Sequence, residues 1–474
     1  MTPRRHRLLL VASLIAISTI ALLTAGPAWA EVKLAPLFTD HAVLQRDMPV
    51  PIWGWAEPGE EVTVTLAGQE KTAKADNEGH WKVRLEKMPA GGPHELKVAD
   101  GSSIQLADIL VGEVWLASGQ SNMAWPVSRA NNFPEEQKAA KYPEIRMFTV
   151  ARQPADEPQS KCNGQWVVCS PETVGGFSAT AYFFGRELHK ELDVPVGLIN
   201  TSWGGTPIQS WTSMPAMEKV PEIKEAVDEW MSRKPPHRPA CLFNGMVAPL
   251  VPYALRGGIW YQGESNAGRY APHLYGSQLA TMIGDWRSRW EQGDFPFIHV
   301  QLPNFKQPQK NPVEDTGWVT VRDGMRDVLR TVPNTGMAIT LDIGEAGDIH
   351  PRNKQDVGRR LAAWALANTY DKDVVASGPL FTGHEKQGDK IVLKFDHVGK
   401  GLKVKGEKLE GFAIKGAEGD WVWAEAEITG PHTVTVSSPQ VDNPAAVRYA
   451  WADNPKATLF NSADLPAAPL KTDR

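Results

Sequence analysis

Three cysteines in 474 residues are too few for a disulfide framework. They are Cys162, Cys169 and Cys241. The first two are spaced to close one small hairpin, and the third is left as a small buried apolar residue. No pair of Cys or His shows ligand spacing, so neither zinc nor any other cofactor is expected. Basic runs are missing as well: the formal net charge is −5, its contributors are scattered, and nucleic acid and anionic lipid are excluded as partners. There is no internal repeat and no long disordered linker.

The apolar stretch Leu8 to Leu23 is short for a spanning helix and is followed by Gly26 and Pro27. Arg4, Arg5 and Arg7 precede it, and Ala28-Trp29-Ala30 fits the small-x-small cleavage rule. Residues 1–30 are therefore expected to be a signal peptide, and the mature protein to be periplasmic or secreted with no membrane anchor. Cleavage removes three arginines and no acids, which takes the charge from −5 to −8.

About 440 mature residues exceed one core, so several domains are expected. Residues 31–107 alternate apolar and polar in short runs such as Glu61 to Leu66 and His80 to Leu85. Clusters such as Pro89-Ala90-Gly91-Gly92-Pro93 separate the runs, which is the pattern of a β-sandwich. Over 108–376 strands alternate with helices. Phe177, Ala181, Phe184 and Leu188 recur at helical spacing, as do Leu279, Met282, Ile283, Trp286 and Trp290, and then Val357, Leu361, Trp364 and Ala365. Such alternation implies a largely parallel α/β sheet covered on both faces. Residues 377–474 return to short strands and predict a C-terminal β-rich module.

Four segments carry the chemistry. Gly119-Gln120-Ser121-Asn122-Met123 follows the apolar run Ile109 to Ala117, and a serine at such a strand end exposes its Oγ. Asn200-Thr201-Ser202-Trp203-Gly204-Gly205-Thr206, Gly258 to Asn266, and Asp348-Ile349-His350-Pro351 likewise follow β-like runs, Val196 to Ile199, Leu255 to Tyr261 and Met337 to Ile343. In open α/β sheets the carboxyl ends of strands gather the active site. No Gly-x-Ser-x-Gly elbow surrounds Ser121, which argues against a lipase-like hydrolase.

In this order the four segments resemble the sialate O-acetylesterase-like branch of the SGNH (GDSL-like) hydrolases, from about Glu31 to the C-terminus. The resemblance implies a flavodoxin-like three-layer α/β/α catalytic domain flanked by the two β-rich modules. It also implies a serine esterase acting on acetylated carbohydrate, either sialic acid or a plant glycan such as xylan. Ser121 is then the nucleophile and His350 its base. Position 347 is Gly where the wider superfamily carries the acid, so Asp348, two before His350, is the expected orienting group; Asp342 or a backbone carbonyl is the alternative. The oxyanion hole is expected from the Ser121 N–H, Gly204 or Gly205, and a side-chain amide. Gln262 is favoured for that amide over Asn266 because it directly ends its strand. Trp125, Trp203 and Trp211 lie beside these blocks as candidate sugar platforms, and Glu264 as a substrate or loop contact. Two other readings stay open: a carbohydrate-binding protein on an esterase scaffold, and a general short-chain acyl esterase.

Overall fold

A computed structural model describes residues 32–473. The expected signal peptide lies outside them. Among the described residues no helix is long and apolar enough to cross a membrane.

One strand organises the molecule: β1, Ser103–Gly119, is 17 residues long. Its first half alternates exposed and half-buried positions and its second half is wholly buried. The first half pairs antiparallel with Gly91–Ala99, which itself pairs with Glu61–Leu66. With the antiparallel sheet of Lys33–Leu34, Val50–Trp55 and His80–Leu85, these strands form the N-terminal β module. The second half of β1 becomes the centre of the α/β sheet. The strand therefore crosses the point where the sequence pattern changes. At that crossing Glu113, fully buried, accepts from Gln45, Arg46 and Arg256 and ties the module to the sheet.

The remaining strands of the large sheet are β2 Tyr142–Thr149, β3 Trp166–Cys169, β4 Val196–Ser202, β5 Gly257–Tyr261, β6 Phe297–Val300 and β7 Thr335–Ala338. Their order is β3-β2-β4-β1-β5-β6-β7. All neighbours are parallel except the edge pair β3–β2. Without that edge hairpin, β4-β1-β5-β6-β7 follows the order 2-1-3-4-5 of a doubly wound sheet, with its switch point beside β1. The strands are almost continuously buried, as parallel strands covered on both faces must be.

Among the helices of this domain are α1 Ser121–Ala124, α2 Ala179–Leu192, α3 Glu264–Arg269, α4 Tyr275–Trp290, α5 Gly317–Thr331 and α6 Lys354–Thr369. Helices α2 and α6 pack with Trp115, Ile145, Leu198, Ile259 and Ile298. Helices α4 and α5 pack with Leu116, Phe148, Ile199, Trp260 and Phe297. Adjacent residues of one strand thus serve opposite faces, as the period of two requires.

Beyond Thr369 the chain builds two four-stranded antiparallel sheets and a short strand pair. Arg322 on α5 docks this part: it is 1% exposed and donates to the carbonyls of Leu302, Pro303, Ala452 and Asp453. Replacing it by Met leaves the carbonyls of Leu302 and Ala452 without a donor, at about 1–3 kcal/mol for each group left unsatisfied, while Pro303 keeps the Trp318 indole N–H and Asp453 the Phe305 N–H. Arg322→Met is expected to lower the thermal midpoint by several degrees in a calorimetric scan, whereas Arg330→Met, at an exposed site on the same helix, is expected to leave it unchanged.

The disulfide allowed by the cysteine spacing does not form. All three cysteines are free and buried, and burial pushes the thiols of Cys162 and Cys241 up to about 11 and that of Cys169 to about 12. Cys169 instead closes the hydrogen-bonded β3–β2 edge pair.

Candidate active site

Gly119 ends β1 with φ of +140°, and a Cβ there would stand 2.1 Å from the Tyr261 carbonyl oxygen. Only glycine lets β1 run this close to β5 and then turn into α1. The turn puts Ser121 at the mouth of a pocket of about 480 Å3, lined also by Gly205, His237, Glu264, Arg269 and His350. That size suits a small ligand.

His350 Nε2 lies 3.0 Å from Ser121 Oγ. The other ring nitrogen, Nδ1, lies 3.4 Å from Asp348 Oδ1, and the same oxygen accepts the His350 backbone N–H at 2.8 Å. Asp348 is thus pinned by the backbone of the residue whose ring it faces. Asp342 sits elsewhere, held at both oxygens by Arg360 at 2.6 and 2.8 Å. Partial burial lowers the His350 pKa below the ordinary imidazole value; Asp348 opposes that shift, while Lys354 and Arg129 add to it. A ring that stays neutral to lower pH is suited to accept a proton from a hydroxyl.

Gly204 and Gly205 follow β4 and come alongside the serine. A Cβ at Gly204 would meet Ser121 Cβ at 3.3 Å, and Gly205, at φ +78°, opens onto space. Among the described residues, the backbone N–H groups of Ser121, Gly204 and Gly205 have no intramolecular acceptor.

The side-chain amides behave otherwise than expected. Gln262 is fully buried and its Nε2 lies 2.8 Å from Asn266 Oδ1 and 3.1 Å from both Gln120 Oε1 and the Thr206 carbonyl. Two N–H bonds already shared among three acceptors leave none for a ligand. Asn266 is equally buried, its Nδ2 directed at Gln209, Gln278 and the Tyr270 carbonyl. Both expectations for an amide donor are corrected: Gln262 is the knot joining the loops after β1, β4 and β5, and Asn266 extends it.

None of the three tryptophans expected as sugar platforms lines this pocket. Trp211 is wholly buried, donates to Thr206 Oγ1 and packs edge-on to Trp260. Trp125 stacks on the His350 ring at 5.1 Å and 13°. It supports the base and lines a neighbouring pocket with Arg129 and Arg352, not the one that holds Ser121. Trp203 is half-buried against the core with Arg152 above it, again away from the pocket lining. Glu264 does reach the pocket: its Oε1 takes Asn122 Nδ2 at 2.5 Å and its Oε2 has no partner. Burial raises the Glu264 pKa. His237, Arg269 and Lys354 join the site without having been singled out in the sequence. None sits at a strand end, so no positional signal marked them.

Over residues 111–367 the sequence matches the family model described as carbohydrate esterase, sialic acid-specific acetylesterase. The sialate O-acetylesterase of Homo sapiens is 31% identical over 458 residues, spanning 88% of this chain and 87% of its own. The chain belongs to this esterase family. The Mus musculus sialate O-acetylesterase is 33% identical over 409 residues, covering 73% and 75% of the two chains. The crystal structure of a carbohydrate acetylesterase from Xanthomonas citri superimposes with a TM-score of 0.86 at 40% identity, covering 94% of this chain and all of that one. The protein is a carboxylic ester hydrolase acting on carbohydrate.

Proposed function

We propose that this esterase removes O-acetyl groups from a sugar through an acetyl-serine intermediate on an SGNH-type, flavodoxin-like three-layer domain. Ser121 Oγ attacks the acetyl carbonyl carbon as His350 Nε2 takes its proton. The backbone N–H groups of Ser121, Gly204 and Gly205 are the donors available to the oxyanion. Collapse of the tetrahedral adduct expels the sugar hydroxyl, protonated by His350. Water, deprotonated by the same ring, then releases acetate. The 3.0 Å contact between Ser121 and His350 carries this reading.

Two further readings belong with it. Residues 31–107 and 377–474 act as flanking modules of the 108–376 catalytic unit, and the protein is exported after cleavage near Ala30.

The substrate is an acetylated sialic acid. Arg269 and His237 line the pocket, where Arg269 gives a sugar carboxylate a cationic partner. Acetate release is to be measured on acetylated sialic acid, acetylated xylan and an aryl acetate. The expected order is sialic acid first by kcat/KM, with Arg269→Ala losing about tenfold on that substrate alone. Equal rates on xylan move the assignment to a neutral glycan. Cleavage of the aryl acetate alone makes it a general short-chain esterase, and no cleavage at all a binding protein.

A further inference from the structure

Beneath the catalytic pair lies a buried amine that the reaction scheme does not use. Lys354, at the start of α6, is 0% exposed. Its Nζ donates to Asn122 Oδ1 at 2.7 Å and to the Pro351 carbonyl at 2.6 Å. Asn122 is the residue after the nucleophile. Its Nδ2 donates to the Ile349 carbonyl at 3.0 Å and to Glu264 Oε1 at 2.5 Å. Ile349 and Pro351 are the residues on either side of His350. The backbone before and after the base is therefore strapped to the backbone beside the nucleophile, through one amide and one amine.

We propose that Asn122 and Lys354, with Glu264 as counter-charge, are positioning residues that set the distance between Ser121 Oγ and His350 Nε2. This rests on the serine mechanism above and extends it to groups that touch neither substrate nor reacting atoms. The His350 loop is otherwise held at its outer side, with Asp348 and His350 at 41% and 29% side-chain exposure. A half-exposed loop set against a rigid strand end drifts unless something buried fixes it, and a misplacement of about 1 Å costs on the order of 10²-fold in rate.

Lysine suits the post because either charge state donates two hydrogen bonds. Burial pushes its pKa down to about 7, against the attraction of Glu264, Glu345 and Asp348. Arg129 and the rings of Tyr261 and Trp125 also lie near this centre. A buried amine–carboxylate arrangement is weak evidence for stability in itself, since removing both charges together is often neutral. That separates positioning from folding.

The test is Lys354→Met paired with Glu264→Gln. Lys354→Met alone strands a buried carboxylate and is expected to lower the thermal midpoint. The double variant removes both charges and is expected to recover most of it. If the brace positions the base, the recovered double variant still loses about 30-fold or more in kcat on an aryl acetate, with KM within twofold. Its acid limb in kcat/KM also moves to higher pH, because Lys354 no longer holds the His350 pKa down. A double variant with kcat within threefold of wild type and an unmoved acid limb overturns the proposal. Asn122→Ala, which cuts both straps but also takes the hydrogen bond from Glu264 Oε1, carries the same kinetic criterion, read beside its own thermal melt, should the double variant not fold. Ser121→Ala run in parallel keeps the two readings apart: activity surviving there sinks the serine mechanism itself, whereas its loss beside an unimpaired double variant sinks only the brace.

Discussion

Ser121→Ala is expected to lower turnover of an aryl acetate by on the order of 10³-fold or more, and His350→Ala by a similar factor. Each is half of one proton-transfer unit, with Oγ and Nε2 already 3.0 Å apart, so removing either removes the step. The double variant should be scarcely slower than either single one. Thermal melts are expected to stay close to wild type for Ser121→Ala, whose Oγ, among the described residues, shares a hydrogen bond with His350 alone. His350→Ala leaves Trp125 without its stacking partner and should melt somewhat lower. Turnover near wild type in either single variant would sink the assignment.

Asp348→Asn has the next largest expected effect. An amide at this position still accepts the His350 backbone N–H, so the loop keeps its shape. It no longer provides an anion opposite Nδ1, and the imidazolium formed during attack loses its stabilisation. Loss of the correct tautomer costs up to about 10⁴ in kcat. Asp348 is partly exposed, so water moderates the loss, and a fall of about 10²–10⁴ is expected. The pH profile gives a second readout. Asp348 raises the His350 pKa, so removing it shifts the acid limb to lower pH, opposite to the shift expected for Lys354→Met. Asp342→Asn is the comparison: its carboxylate holds Arg360, so stability should fall with kcat within about tenfold of wild type. If Asp342→Asn proves the slower enzyme, the orienting role passes to it.

The helices whose core faces are apolar were legible: Phe184 and Leu188 on α2, Leu279 and Ile283 on α4, and Leu361 and Ala365 on α6 are all buried. Helix α5 escaped notice because its buried face carries Arg322 and Arg326 between Val321, Met325 and Val328. An arginine that spends its donors on carbonyls of a distant module looks, in one dimension, like a solvated residue. The expected strand Met337 to Ile343 shows the opposite error. Pairing ends at Ala338, and the next apolar residues serve as a buried loop that carries the chain to His350.

What the sequence determined by itself was the order of the segments and the chemistry each brings. An apolar run ending in Gly-Gln-Ser, two glycines after another run, and Asp-x-His-Pro before a helix place a serine, free amides and an imidazole at strand ends whatever the detailed packing. Which way each strand-end side chain turns was decided only in three dimensions. At a strand end one step of register separates facing the pocket from lying beneath it, and local sequence holds no term for that choice. Gln262 and Asn266 went beneath because Gln120, Thr206, Gln209 and Gln278, from three other segments, offer them acceptors there. Trp211 went inward to meet Trp260. Lys354 became part of the site because burying its amine is tolerable only where Asn122, Pro351 and Glu264 converge.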